Sequence, residues 1–147
     1  MSNSVKECDV SLFHSLPLLH TLFLFYYRRS SSLLQSGLLF DAYEIDNSLG
    51  SMQRTVGGLI EAVYPFEEQV CIVCNEEGKI NGLPLNRALR DENGHIYDTI
   101  AGTAFICDCS VEDFGSLSSE LCAHYMKLFQ RPELFLRVDG RFVVVSI

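Results

Sequence analysis

A chain of 147 residues and 16.6 kDa has the length of one ordinary domain, with room for a packed core. With 48% hydrophobic and 20% charged residues, and only 10 Gly and 4 Pro, it is not a disordered, collagen-like or low-complexity chain. Its net charge of -8 lacks the basic surplus that phosphate neutralisation requires, so direct nucleic-acid binding is not expected.

The charge is unevenly spread: +1 over residues 1–39 and -9 over residues 40–147. Residues 10–27 read VSLFHSLPLLHTLFLFYY. A membrane span needs about 20 predominantly apolar residues, and His14, Pro17 and His20 make this run a marginal one. No small-residue cleavage site follows it, so a secretory signal also fits poorly. A helix capped by Ser15, with Pro17 in its first turn, would align Leu19, Leu22, Phe23 and Tyr26. The preferred reading is an amphipathic or poorly ordered arm outside the fold. A membrane-associated helix and a partner-docking helix are the alternatives. Residues 30–32 and Gly37 read as a linker, which leaves residues 40–147 as one compact domain.

Within that domain, residues 42–45 predict a short strand. Asp46, Asn47 and Ser48 offer a helix N-cap, Leu49, Met52 and Val56 recur at helical spacing, and Gly57 suits the helix end. Residues 59–64 and 70–74 predict a hairpin, followed by a turn in which Gly78 is able to take positive φ. Residues 81–86 (NGLPLN) are too rich in Gly, Pro and Asn for a regular element. Asn93-Gly94 predicts a tight turn, and residues 96–107 one long strand with a bulge or close packing at Gly102. Leu117, Leu121, Tyr125, Leu128 and Phe129 define a second helix, opened by Ser116 or Ser118 and stopped before Pro132. Residues 134–145 predict a hairpin closed by Asp139-Gly140. Both of its faces are apolar, which predicts that it is covered on both sides. Hairpins with two segregated helices make an α+β fold with a mostly antiparallel sheet.

The motifs in residues 44–107 resemble one family. Val56-Gly57-Gly58, the NEEGK of residues 75–79, the GLPLNR of residues 82–87 and the DTIAGT of residues 98–103 are similar to the pattern of domain of unknown function family 3846. The resemblance extends over about residues 41–147. It implies an uncharacterised module of mobile or phage-derived elements in Firmicutes, and no mechanism.

Candidate chemistry is thin. Cys71 and Cys74 form a C-x-x-C inside a strand, where alternation sends them to opposite faces as core thiols. Cys107 and Cys109 share a face, but Cys122 and His124 lie about 200° apart on a helix, so a four-ligand zinc set is not expected. Without an export signal, disulfides are not expected either. No nucleophile elbow, P-loop, zinc-protease or dinucleotide motif is present. The most polar candidate site is Asn86, Arg87, Asp98 and Thr103: a stiff loop presenting Asn and Arg would bind an anion or carboxylate. The competing reading pairs Arg87 with Asp98 internally and bonds Asn86 to backbone. The expectation is a cytoplasmic accessory domain without cofactor or metal that binds a protein or small ligand. Its alternatives are an acidic mimic of DNA, directed at a DNA-acting protein, and a small hydrolase or transferase using an Arg87/Asp98 cleft.

Overall fold

The structure, a computed structural model, describes the backbone of residues 21–29 and 38–147 and the side chains of residues 45–147. Its elements in chain order are β1 (Thr21–Arg29), β2 (Leu38–Asp46), α1 (Leu49–Val56), β3 (Ile60–Val63), β4 (Val70–Asn75), β5 (Leu85–Arg90), β6 (Ile96–Ala101), β7 (Phe105–Asp108), α2 (Ser119–Leu128), β8 (Glu133–Val138) and β9 (Arg141–Ser146). Every described strand pairing is antiparallel, and the fold is α+β. No helix among the described residues is long and apolar enough to cross a membrane.

The centre is a three-stranded sheet in the order β3-β4-β7. Every residue of β4 is buried, as its continuous run VCIVCN requires of a strand covered on both faces. Period-two alternation divides the core in two. Val70, Ile72 and Cys74 join Ile106 on one face, under Tyr125 of α2 together with Leu89 and Ile100 of the β5–β6 hairpin. Cys71 and Val73 join Phe105 and Cys107 on the other, under Met52 and Val56 of α1. The opposite orientation expected for Cys71 and Cys74 is therefore present.

Both helices start where their hydroxyls allow. The Ser51 N–H donates to Ser48 Oγ at 3.2 Å, and the Leu121 N–H to Ser118 Oγ at 3.2 Å. Gly57, at φ 80°, ends α1. Tyr125 is fully buried, with its ring centroid 4.6 Å from that of Phe66 and its hydroxyl donating to Glu68 Oε2 at 3.1 Å. Leu128, expected on the same stripe, is 55% exposed because α2 ends there.

Four sequence expectations give way. The single strand of residues 96–107 is two strands in two sheets. Gly102, at φ 79°, turns the chain out of β6, and any Cβ there would lie 2.7 Å from Leu83 Cδ1. The second half of NGLPLN is not irregular: Leu85 and Asn86 open β5, which pairs with β6 around the Asn93-Gly94 turn. Residues 21–27, read as part of a helix, lie in β1, which pairs with β2 and runs beside β7. The remainder of that expected helix and the linker at residues 30–32 and Gly37 lie outside the described residues. Finally, the β8–β9 hairpin has the expected register, Leu136 opposite Val143, and the expected Asp139-Gly140 turn with both residues at positive φ. It is not covered on both sides: Leu136, Val138, Phe142 and Val145 are all exposed. The hairpin forms its own two-stranded sheet against β5 instead of joining the central one.

Candidate functional site

The four polar residues singled out from the sequence do not meet at one place. Asn86 is buried, and its side-chain amide donates to the Gly102 carbonyl at 2.7 Å, the backbone tie anticipated for it. Arg87 is buried but does not pair with Asp98. Its guanidinium donates to the Phe129 carbonyl at 2.9 Å and lies 5.7 Å from the Phe129 ring centroid. Asp98 instead accepts from Lys79 at 2.6 Å, and this bond holds its carboxyl below the usual carboxylate range. Asp98 lines neither of the clefts that Arg87 lines, so the two residues share no described cleft. Thr103 lines a different cleft of about 330 Å³, between the end of α1 and the loop before β5.

That second cleft is where the motif runs converge, and they are bonded to one another. Asn75 donates to the Val56 carbonyl at 3.2 Å and accepts from the Glu77 N–H at 2.9 Å. The Leu83 N–H reaches the Gly78 carbonyl at 2.9 Å, and the Gly102 N–H reaches Pro84 at 2.8 Å. The residue types that made the pattern legible are thus largely occupied in joining α1, β4, β5 and β6.

Arg87 opens onto a larger cleft of about 400 Å³ between β5, the end of α2 and β8. Phe66 and Phe129 form its apolar wall, and Arg87, Arg90, Lys127, Arg131 and Glu133 its charged lining. Strict alternation along β5 would put Arg87 and Arg90 on opposite faces. The register irregularity between Leu89 and Arg90 brings both into the cleft. Glu133 is buried, accepts from Arg90 at 2.6 Å and from the Ala88 N–H at 2.8 Å, and so neutralises one of the four cations. Among the described residues Lys127 and Arg131 make no ion pair. Among the described residues no cysteine or histidine lines this cleft. Chemically it offers positive charge beside aromatic surface. Sequence reasoning reached Arg87 but missed Arg90, Lys127, Arg131 and Glu133. The only signal was Lys127 and Arg131 four apart at the end of a helix in an acidic chain.

Among the described residues no group of three or more His, Cys, Asp or Glu side chains is arranged to hold a metal ion. Cys107 belongs to the α1 side of the core and Cys122 packs on the α2 side.

The fold and this cleft define a small α+β domain built on a doubly covered three-stranded sheet. More particularly, the chain belongs to the family described as Domain of unknown function (DUF3846), whose family model matches residues 33–130. The match takes in residues 33–39, outside the reach of the sequence resemblance, and stops before the β8–β9 hairpin. No curated protein and no solved structure matches the chain.

Proposed function

We propose that this domain is a non-catalytic binding module whose ligand is a small anion with an apolar body, a phosphate ester or carboxylate, seated in the basic cleft. The observation that carries the reading is one of charge. In a chain of net charge -8, four of its 11 Lys and Arg line a single cleft in which Glu133 is the one carboxylate among the described residues. Lys127 and Arg131 stand at its rim and pair with no other charge among the described residues, Arg87 stands buried in its wall, and Phe66 and Phe129 supply the apolar contact. In the mobile-element setting that the family resemblance implies, the domain acts as an accessory module. Because Arg131 and Glu133 lie beyond residue 130, the proposal concerns this chain and not the family at large.

Calorimetric titration with phenyl phosphate, inorganic phosphate and phenol tests it. Phenyl phosphate binds, phenol does not, and the Lys127→Gln, Arg131→Gln double variant weakens binding at least about tenfold, the loss of one charge-assisted hydrogen bond or more. Equal binding of phenol, or a variant that binds as the parent does, overturns the reading.

A further inference from the structure

Three of the five thiols in the described side chains lie on one face of the central sheet, and nothing in the basic cleft uses them. Cys71 on β4 and Cys107 on β7 are directly opposed, fully buried, and have their sulfurs 3.5 Å apart. Cys109 follows on the same strand line, packs against the same face of the core and is only partly buried. The Cys109 N–H donates to the Gln69 carbonyl at 2.9 Å. Counting two residues along each strand makes Cys71 and Cys107 a hydrogen-bonded cross-strand pair, whose Cα atoms stand about 5.5 Å apart. That spacing falls within the range a disulfide spans. The diagonal from Cys71 to Cys109 is about 7–8 Å by the same geometry, so a bond between them forms only with a shift of the chain at the end of β7.

We propose that Cys71 and Cys107 form a reversible redox pair, closed into a cross-strand disulfide by a hydroperoxide-class oxidant that reacts first at Cys109. The Cys109 sulfur attacks a peroxide oxygen; the S–O bond forms, the O–O bond breaks, and the departing oxygen leaves with the thiol proton as water or an alcohol. Cys71 then attacks the Cys109 sulfur, an S–S bond replaces the S–O bond, and the hydroxyl leaves with the Cys71 proton as water. Cys107 attacks Cys71 in turn, expels Cys109, and passes its proton to the Cys109 sulfur. With hydrogen peroxide one peroxide becomes two waters, with an alkyl hydroperoxide one alcohol and one water, and two thiols become one disulfide. The last exchange runs forward because it trades the over-long diagonal for the directly opposed pair. Cys109 is needed because the final partners have no surface of their own for an oxidant to meet.

Exposure of the folded full chain to hydrogen peroxide, followed by thiol counting in denaturant and a non-reducing peptide map with tandem fragmentation, decides the matter. Two of the six thiols disappear, the new bond joins Cys71 to Cys107, and dithiothreitol restores both. Cys109→Ser slows closure at least about tenfold while circular dichroism shows the fold kept, and Cys107→Ser traps the Cys71–Cys109 bond. A bond to Cys8, Cys74 or Cys122 overturns the proposal. So does unchanged speed in the Cys109→Ser chain, a Cys109 that goes irreversibly to sulfinic acid, or thiols that react only after unfolding.

Discussion

Cys74 shows how one residue's burial becomes a pH dependence. It sits in the α2-side core at 4% exposure, and burial, aided by the nearby charge of Glu61, pushes its thiol up to about 11 from an ordinary 9. The folded state therefore holds this proton more tightly than the unfolded chain does. Its contribution to stability is complete below pH 9 and is lost as pH rises towards 11. Cys74→Ala flattens that alkaline loss, at a cost of about 1 kcal/mol at neutral pH from the vacated volume. Urea midpoints measured between pH 7 and pH 11 check it, and an unchanged alkaline slope refutes it. Gly78 makes a steric point at the same scale. It does not use the positive φ open to glycine; instead a Cβ there would stand 2.8 Å from the Ala101 carbonyl oxygen. Gly78→Ala is expected to destabilise the domain by about 1–3 kcal/mol, because backbone, unlike the end of a side chain, does not yield. Thermal unfolding measures this, and a variant as stable as the parent would show that the turn relaxes freely.

At the scale of elements, the caps are local and the hairpin's attachment is not. Ser118→Ala removes the acceptor for the Leu121 N–H and lowers the urea midpoint by an amount worth about 1 kcal/mol, with an unchanged denaturant slope. A two-stranded hairpin is at best marginally stable by itself, and β8–β9 has its own register but little cover. What fastens it to β5 is the buried carboxylate of Glu133, bonded to Ala88 and Arg90 across more than forty residues of sequence. Glu133→Ala leaves a buried N–H without its acceptor and costs about 2 kcal/mol. Glu133→Gln, which keeps an acceptor oxygen, costs less. Hydrogen exchange at the β5 and β8 amides reads the difference, and unaltered protection in the alanine variant would mean that apolar contact alone holds the hairpin.

Across the whole molecule, electrostatics divides the surface against the basic cleft. Long-range attraction of an anion is opposed by the chain's net negative charge, so affinity must come from the cations within contact distance. Raising salt from about 0.02 M to about 0.5 M, where the screening length falls from some 20 Å to some 4 Å, then weakens phenyl phosphate binding only several-fold. A loss of a hundredfold or more would mean that a diffuse field, not the cleft, does the binding.

Much of the fold was legible in the residues because its signals are local. A hydroxyl before a helical repeat, Gly57 after it, Asp139-Gly140 between apolar strands and the alternation that parts Cys71 from Cys74 all act within a few residues of chain. The α+β class and the family motifs followed from them. Which partners those elements take is decided by contacts far apart in sequence, which no window of sequence contains. Leu83 packing on Gly102 splits one apparent strand between two sheets, and Glu133 carries the hairpin to β5. An irregularity in β5 turns Arg90 to the side of Arg87. Asp98 was claimed by Lys79, not by Arg87, because the turn after β4 brings the lysine to 2.6 Å. Local chemistry writes the elements, while the competition among distant side chains for the same space and the same hydrogen bonds selects the site.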